Sequence, residues 1–437
     1  MAPASSHPLR RSILWAGSFA LWLTGIAPAT SAELLPPPAD KGCEVKVLNL
    51  AECIGIGMER SPALAAQWAT LRATEAGKNG GDALKIPKCM APDIDIRRQQ
   101  SAIGLEGAMA SVEFVEHYTV NAISRMYFGV VYAREQRNVA EEAVKDRAKN
   151  LQMAQEFLDA QVRQVTQEDV QKFRAALQQA QIRVLEAKRG EEILAGALKE
   201  AMGVGPYFCL DVADKTLPHP QLELCKEQVI ELALSRRPEM RVQDAASAIS
   251  CLEIEAQAAM RRNGRTFAMF SDIHVAAAPP LGGGPTYTPG PIGWEMPVKL
   301  VGPKPYRVER AKELHNRINA VREKTRQLIA LEAQDAYTRY VEARDSIPLA
   351  KQAEDSAREV LGEATRKYLR QVRLDPDKLI DATAKLDDSR VKHLEARHKY
   401  VVALIYLENV TAGAIRPFGC HDIALSEKMG KIESIAK

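Results

Sequence analysis

Few side chains in this sequence are spaced for chemistry. Glu395-Ala396-Arg397-His398 is its one Glu-x-x-His pair, the spacing that sets two metal ligands on one helix face in carboxylate di-iron proteins. Such a centre needs that pair twice, with further glutamates from facing helices, so a single copy reads as a solvated helix face. His393 falls on a line of apolar and small residues and reads as a packed, hydrogen-bonded position rather than a ligand. Gly282-Gly283-Gly284 lacks the Lys-Ser/Thr of a phosphate loop and opens no helix. No Gly-x-Ser-x-Gly elbow occurs. The seven cysteines include no Cys-x-x-Cys, which removes the usual zinc and redox sites. They can instead close loops. Cys209 and Cys225 flank a Pro-bearing stretch, and Cys43 and Cys53 flank the start of the first repeat, so either pair could close a short loop in an exported chain. Buried thiols are the alternative. Arg236-Arg237 and Arg366-Lys367 read as solvated helix ends, as do Asp375 and Asp377 unless a docking partner reads their charge. The chain offers no catalytic, cofactor or metal constellation, and predicts a protein that is not an enzyme.

The elements that carry these residues begin with an export signal. Arg10 and Arg11 precede an apolar run over residues 13–26, and Thr30-Ser31-Ala32 gives small residues at a cleavage site, so residues 1–32 read as a signal peptide. No later segment approaches about 18 uninterrupted apolar residues. Any contact with a membrane must then come from strands or from the surface. A net charge of +3 over 437 residues gives no reason to expect nucleic acid. Aromatics are only 5%, against abundant Ala, Gln, Glu, Arg and Leu, a composition suited to extended helices.

Two stretches carry one heptad seam in one register. Val170, Phe173, Leu177, Ala180, Val184 and Leu198 match Leu379, Ala382, Leu386, Ser389, His393 and Leu407, each 209 residues on. Apolar or small residues every 3.5 positions hold a helix face against a partner. The segment openings also repeat: Ser61-Pro62-Ala63-Leu64 and Arg237-Pro238-Glu239-Met240 lie 176 residues apart, with the proline set to start a helix. These first helices are expected to stop near Gly80-Gly81 and Asn263-Gly264. The offset difference means that the second copy holds 33 residues absent from the first. They fit best at residues 266–304, where two strand-like runs flank the Gly/Pro-rich residues 282–293. Long helices are expected near residues 104–162 and 307–372, the second kinked or broken at Pro348. The expected organisation is a first repeat over 33–205, a linker over 206–225, a second repeat over 226–415 and a tail over 416–437.

In order and in duplication these features resemble the TolC-type outer membrane efflux proteins, over essentially the whole mature chain. The residues that carry the resemblance are the two Pro-bearing openings, Val165-Thr166-Gln167-Glu168-Asp169-Val170 as a first coil tip, Tyr368 with Leu379-Ile380-Asp381-Ala382 as a second, and the closing Leu407-Glu408-Asn409-Val410-Thr411-Ala412-Gly413. The resemblance implies a mainly α fold: two tandem repeats of very long coiled-coil helices forming a trimeric α-barrel, with a short β-strand region as a reduced outer-membrane β-barrel. It implies a homotrimer in outer membrane lipid and periplasm, working with an inner-membrane transporter and a periplasmic adaptor protein, with no cofactor. Adaptor docking would fall at Arg163, Val165, Thr166, Asp169, Gln371, Arg373, Asp375 and Asp377. Two departures stand out. Arg163 and Gln371 replace the family's tip glycine, and the 33-residue deficit falls where the first β-hairpin belongs. Leu84-Lys85-Ile86-Pro87-Lys88 and Asp93-Ile94-Asp95-Ile96-Arg97-Arg98 are too short and charged to be lipid-facing strands. A periplasmic helical scaffold that no longer spans the membrane is the second expectation.

Overall fold

The structure is a computed structural model that describes residues 45–161, 165–260, 302–369 and 376–419, all within one compact unit, Glu44–Lys437. The signal peptide expectation and the strand-like runs of 266–304 lie outside the described residues. Lys304 itself already belongs to a helix.

The first repeat consists of β1 (Lys46–Leu48), α1 (Leu50–Arg60), α2 (Pro62–Ala83), α3 (Ile94–Asp159) and α4 (Gln167–Ala201). The second consists of β2 (Leu210–Val212), α5 (Lys226–Arg236), α6 (Pro238–Ala259), α7 (Lys304–Leu369) and α8 (Pro376–Val410). The copies match length for length, with helices of 11, 22, 66 and 35 residues in each. At 1.5 Å per residue, α3 and α7 are rods of about 100 Å. Local chemistry sets the starts. Asn49 and Glu52 form a capping box on α1, Ser61 caps α2 ahead of Pro62, and Thr166 with Asp169 boxes α4. β1 and β2 pair in parallel, with Lys46 opposite Leu210 and Leu48 opposite Val212, and so tie the two repeat starts together.

Within each repeat the two long helices form an antiparallel pair, α3 on α4 and α7 on α8, while α2 lies on α3 and α6 on α7. Between repeats, α6 and α8 both pack on α3. The core is spread along the rods. One cluster joins α1 and α3 around Ile123, Tyr127 and Val131, a second joins α5, α7 and α8 around Ala333, Tyr340 and Leu404, and a third lies at the coil tips. All described seam positions of α4 and α8 are buried or half-buried.

Several expectations are corrected. α2 runs through Gly80-Gly81 to Ala83, with Gly81 buried, because packing on α3 outweighs the weak helix preference of glycine. α3 begins ten residues before the expected start, at Ile94. α7 continues through Pro348 without a break. The carbonyl that proline deprives of a partner belongs to Arg344, which is exposed and so open to solvent. The stretch read as a linker contains β2, and the stretch read as a tail begins by packing against the core, where the half-buried Phe418 ring sits 4.7 Å from that of Phe128.

Candidate functional site: coil tips and open helix faces

At the tips, the loop between α3 and α4 turns into the Thr166 cap: the Thr166 hydroxyl accepts from the Asp169 amide at 3.3 Å, and Asp169 Oδ2 accepts from the Thr166 amide at 2.9 Å. Val165 is buried beneath it. Asp377, exposed on the first turn of α8, takes a bond from Lys172 Nζ at 3.4 Å, and Glu168 flanks the same ammonium at 3.5 Å. The Asp377 bond, with help from Glu168, raises the pKa of Lys172. The structure thus brings Val165, Thr166, Asp169 and Asp377 to one end of the molecule. Arg163, Gln371, Arg373 and Asp375 lie outside the described residues. Under this surface Phe173 and Phe157 flank Tyr368, with ring centroids 6.0 and 5.6 Å away. Burial pushes the Tyr368 hydroxyl up to about 12.

The proposed bridge between Cys209 and Cys225 does not form. Cys225 is a free, exposed thiol at the N-cap of α5, while Cys209 is already disulfide-bonded. Sequence proximity misled because β1–β2 pairing holds Cys209 at the strand edge, its carbonyl accepting from Lys46. Of the Glu-x-x-His pair, Glu395 bonds Lys399 at 2.9 Å, and His398 stacks on Tyr132 with 4.1 Å between centroids. His393, as expected of a seam residue, is hydrogen-bonded, its Nδ1 lying 2.8 Å from Glu354.

Buried ion pairs between distant helices escaped sequence reasoning. Arg97 joins α3 to Glu253 of α6, Arg147 joins α3 to Asp387 of α8, and Arg237 joins the start of α6 to Glu332 of α7. Arg237 is no solvated helix end. Burial drives the Glu332 carboxyl upward, and Arg237 opposes that shift. The one available signal was position: Arg237 occupies the place that Ser61 holds in the first repeat.

The repeats also expose unequal faces. On α8, Leu394 is 5% exposed, in the cluster against which Val139 of α3 packs. Its counterpart on α4, Leu185, is 66% exposed, and the counterpart of Val139 on α7, Leu349, is 65% exposed. Beside Leu394, Arg397 pairs with Glu135 at 3.2 Å; their counterparts are Lys188 on α4 and Asp345 on α7. The stacked His398 and Tyr132 likewise correspond to Arg189 and Glu342, both exposed. A basic, apolar face on α4 and an acidic, apolar face on α7 therefore copy a junction that the chain builds once internally.

No protein-family model matches the chain, and no curated protein matches it in sequence. Solved structures do. The outer-membrane channel OprN aligns at a TM-score of 0.67 and 14% identity over 83% of this chain and 90% of its own. The outer membrane protein VceC of Vibrio cholerae aligns at 0.65 and 14%, over 84% and 97%. The CmeC outer membrane channel of Campylobacter jejuni aligns at 0.64 and 13%, over 91% and 94%. The fold is that of the TolC-type outer membrane channels. No described helix is long and apolar enough to cross a membrane.

Proposed function

We propose that this chain is one subunit of a TolC-like homotrimeric conduit that carries cargo across the periplasm to the outer membrane. The observation that carries the reading is the contrast between Leu394, buried on α3, and Leu185, its bare counterpart. An interface between unlike faces, α4 of one copy on α7 of the next, leaves both faces unsatisfied in a single chain and propagates until the ring closes. The number three is what the resemblance to the TolC-type proteins implies. In such a ring the α2 face left open in the first repeat meets the next subunit's α7, as α6 meets α3 within the chain.

The tips would receive a periplasmic adaptor, which links the tube to an inner-membrane transporter. Val165, Thr166, Asp169 and Asp377, together with Arg163, Gln371, Arg373 and Asp375, are the docking residues of this reading. The Lys172–Asp377 bond supports it, because it joins α4 to α8 at that end and fixes the spacing of the two tips. Light scattering on the purified mature protein tests the ring. A mass of three chains is expected, and a stable monomer would contradict it. Loss of export in a deletion strain, restored by the wild-type chain and not by a charge-reversed D377K/D169K chain, tests the conduit and its docking end.

A further inference from the structure

We propose that the outer end of the helical wall is a lipid-contact rim, on which the α2–α3 turn and the start of α7 rest against anionic phospholipid headgroups. The inference rests on the reading above that the coil tips face the adaptor, which leaves the opposite end of the rods to face the outer membrane. The described chain presents two edges there. One is the connector of residues 84–93 between α2 and α3, and the other is residues 302–306, where α7 begins.

A hydrogen-bonded bridge sets the two edges within about one helical turn of each other. Arg97 of α3 pairs with Glu253 of α6, Gln257 donates to the same carboxylate at 2.6 Å, and Arg307 of α7 donates to the Gln257 side-chain carbonyl at 3.0 Å. All of these side chains are buried, so sliding the start of α3 past that of α7 would strand charges away from water. The connector is braced as well. The Met90 and Ala91 amides donate to the Pro87 carbonyl at 2.9 and 3.2 Å, and Arg98 reaches back to the Leu84 carbonyl at 2.7 Å.

The chemistry of these edges suits a membrane surface. Residues 84–92 carry Lys85 and Lys88 and no acid, and residues 302–308 carry Lys304 and Arg307 and no acid. Arg307 is buried in the bridge, which leaves Lys85, Lys88 and Lys304 as the cations of the rim. Lys88 pairs with Asp95 at 2.5 Å yet keeps 77% of its side chain exposed. The other acids lie deeper: Asp93 is bonded to Arg97 at 3.0 Å, and Glu309 and Glu313 come a turn further along α7, where they offset Arg310 and Lys312. Next to the rim cations in the chain, Met90 is 78% exposed and Tyr306 69%. A methionine at the apex of a braced turn gains by leaving water for the headgroup layer, where a tyrosine ring also settles with its hydroxyl on the wet side. The neighbouring lysines can lay their stems on the apolar surface and set their ammonium groups on phosphate.

Co-sedimentation of the purified full-length protein with vesicles of phosphatidylglycerol or of phosphatidylcholine tests the rim. A lysine close to an anionic surface strengthens attachment about fivefold, so the wild type should prefer phosphatidylglycerol by more than about tenfold at low salt and lose most of that preference at high salt. The K85E/K88E variant should lose the preference. K145E/K149E, an equal charge change far along α3, should keep it. Lys304→Glu stands outside the connector and should lower the preference about fivefold, which keeps the test open if K85E/K88E fails to fold. Equal binding of the wild type to both vesicles, an unchanged preference in either rim variant, or an equal loss in K145E/K149E overturns the inference. End-to-end pairing of rings in lipid-free solution assigns the rim to a second copy and also overturns it. A monomeric mass overturns the ring alone, because each subunit carries both edges and the vesicles still decide the rim.

Discussion

α4 and α8 have equal lengths and one seam register, yet α8 is buried on two sides and α4 on one. The seam explains the shared side: each helix packs on the long helix of its own repeat. The difference lies on the flank. α8 finds α3 of the other repeat, while among the described residues the equivalent flank of α4 has no matching helix against it. Two copies of one design with unequal burial are what the proposed ring requires, with the open edge as its seat for another chain. The sequence retains the complementary pattern there, basic on α4 and acidic on α7.

The largest expected effect tests the second repeat where it departs most from the first. Arg237→Ala removes the partner of buried Glu332 and should destabilise the subunit by about 3–5 kcal/mol in urea melts. Ser61→Ala, at the matched position, loses only a helix cap and should cost about 1 kcal/mol. Equal costs would break the comparison. Next, Leu394→Ala should destabilise by about 2–5 kcal/mol through the cavity it leaves. Leu185→Ala should change the isolated subunit by less than about 0.5 kcal/mol and weaken only the oligomer.

A smaller effect is pH-dependent and belongs to one junction alone. Burial, aided by Arg125, holds the His398 imidazole down at about 4, below the usual value near 6.5. The folded state keeps His398 neutral while the unfolded chain takes up a proton. Stability is therefore complete above about pH 6.5, falls as pH drops toward 4, and changes no further below that. Thermal melts between pH 7.5 and 4.5 should show this decline, and His398→Gln should flatten it. An unchanged slope in that variant would move the effect elsewhere. The smallest effect lies at the tips, where Thr166→Ala should cost about 1 kcal/mol, local to the α4 start and visible as faster amide exchange there.

Much of this architecture was legible in the sequence because it repeats. The seams, the proline starts and the site of the 33-residue excess all follow from matching one copy against the other. What stayed hidden was decided by contacts between residues far apart in the chain. Asp93-Ile94-Asp95-Ile96 alternates like a strand, yet it enters the first turn of α3 because Arg97 is drawn to Glu253, 156 residues away. β1 and β2 have three residues each, too few for any periodicity to register. Of the tip residues, Thr166 and Asp169 were readable as a capping box, whereas the Lys172–Asp377 bond required both repeats in place.

The central claim is that the α4 face of one copy sits on the α7 face of the next. Oxidative crosslinking of an L185C/L349C double variant, with Cys89, Cys225 and Cys251 changed to serine, measures it most directly. The account predicts a ladder ending in a covalent trimer on non-reducing gels, and no crosslink from L394C/L349C, because Leu394 is buried against its own α3. A native trimer that persists in solution without any L185C/L349C crosslink would contradict it.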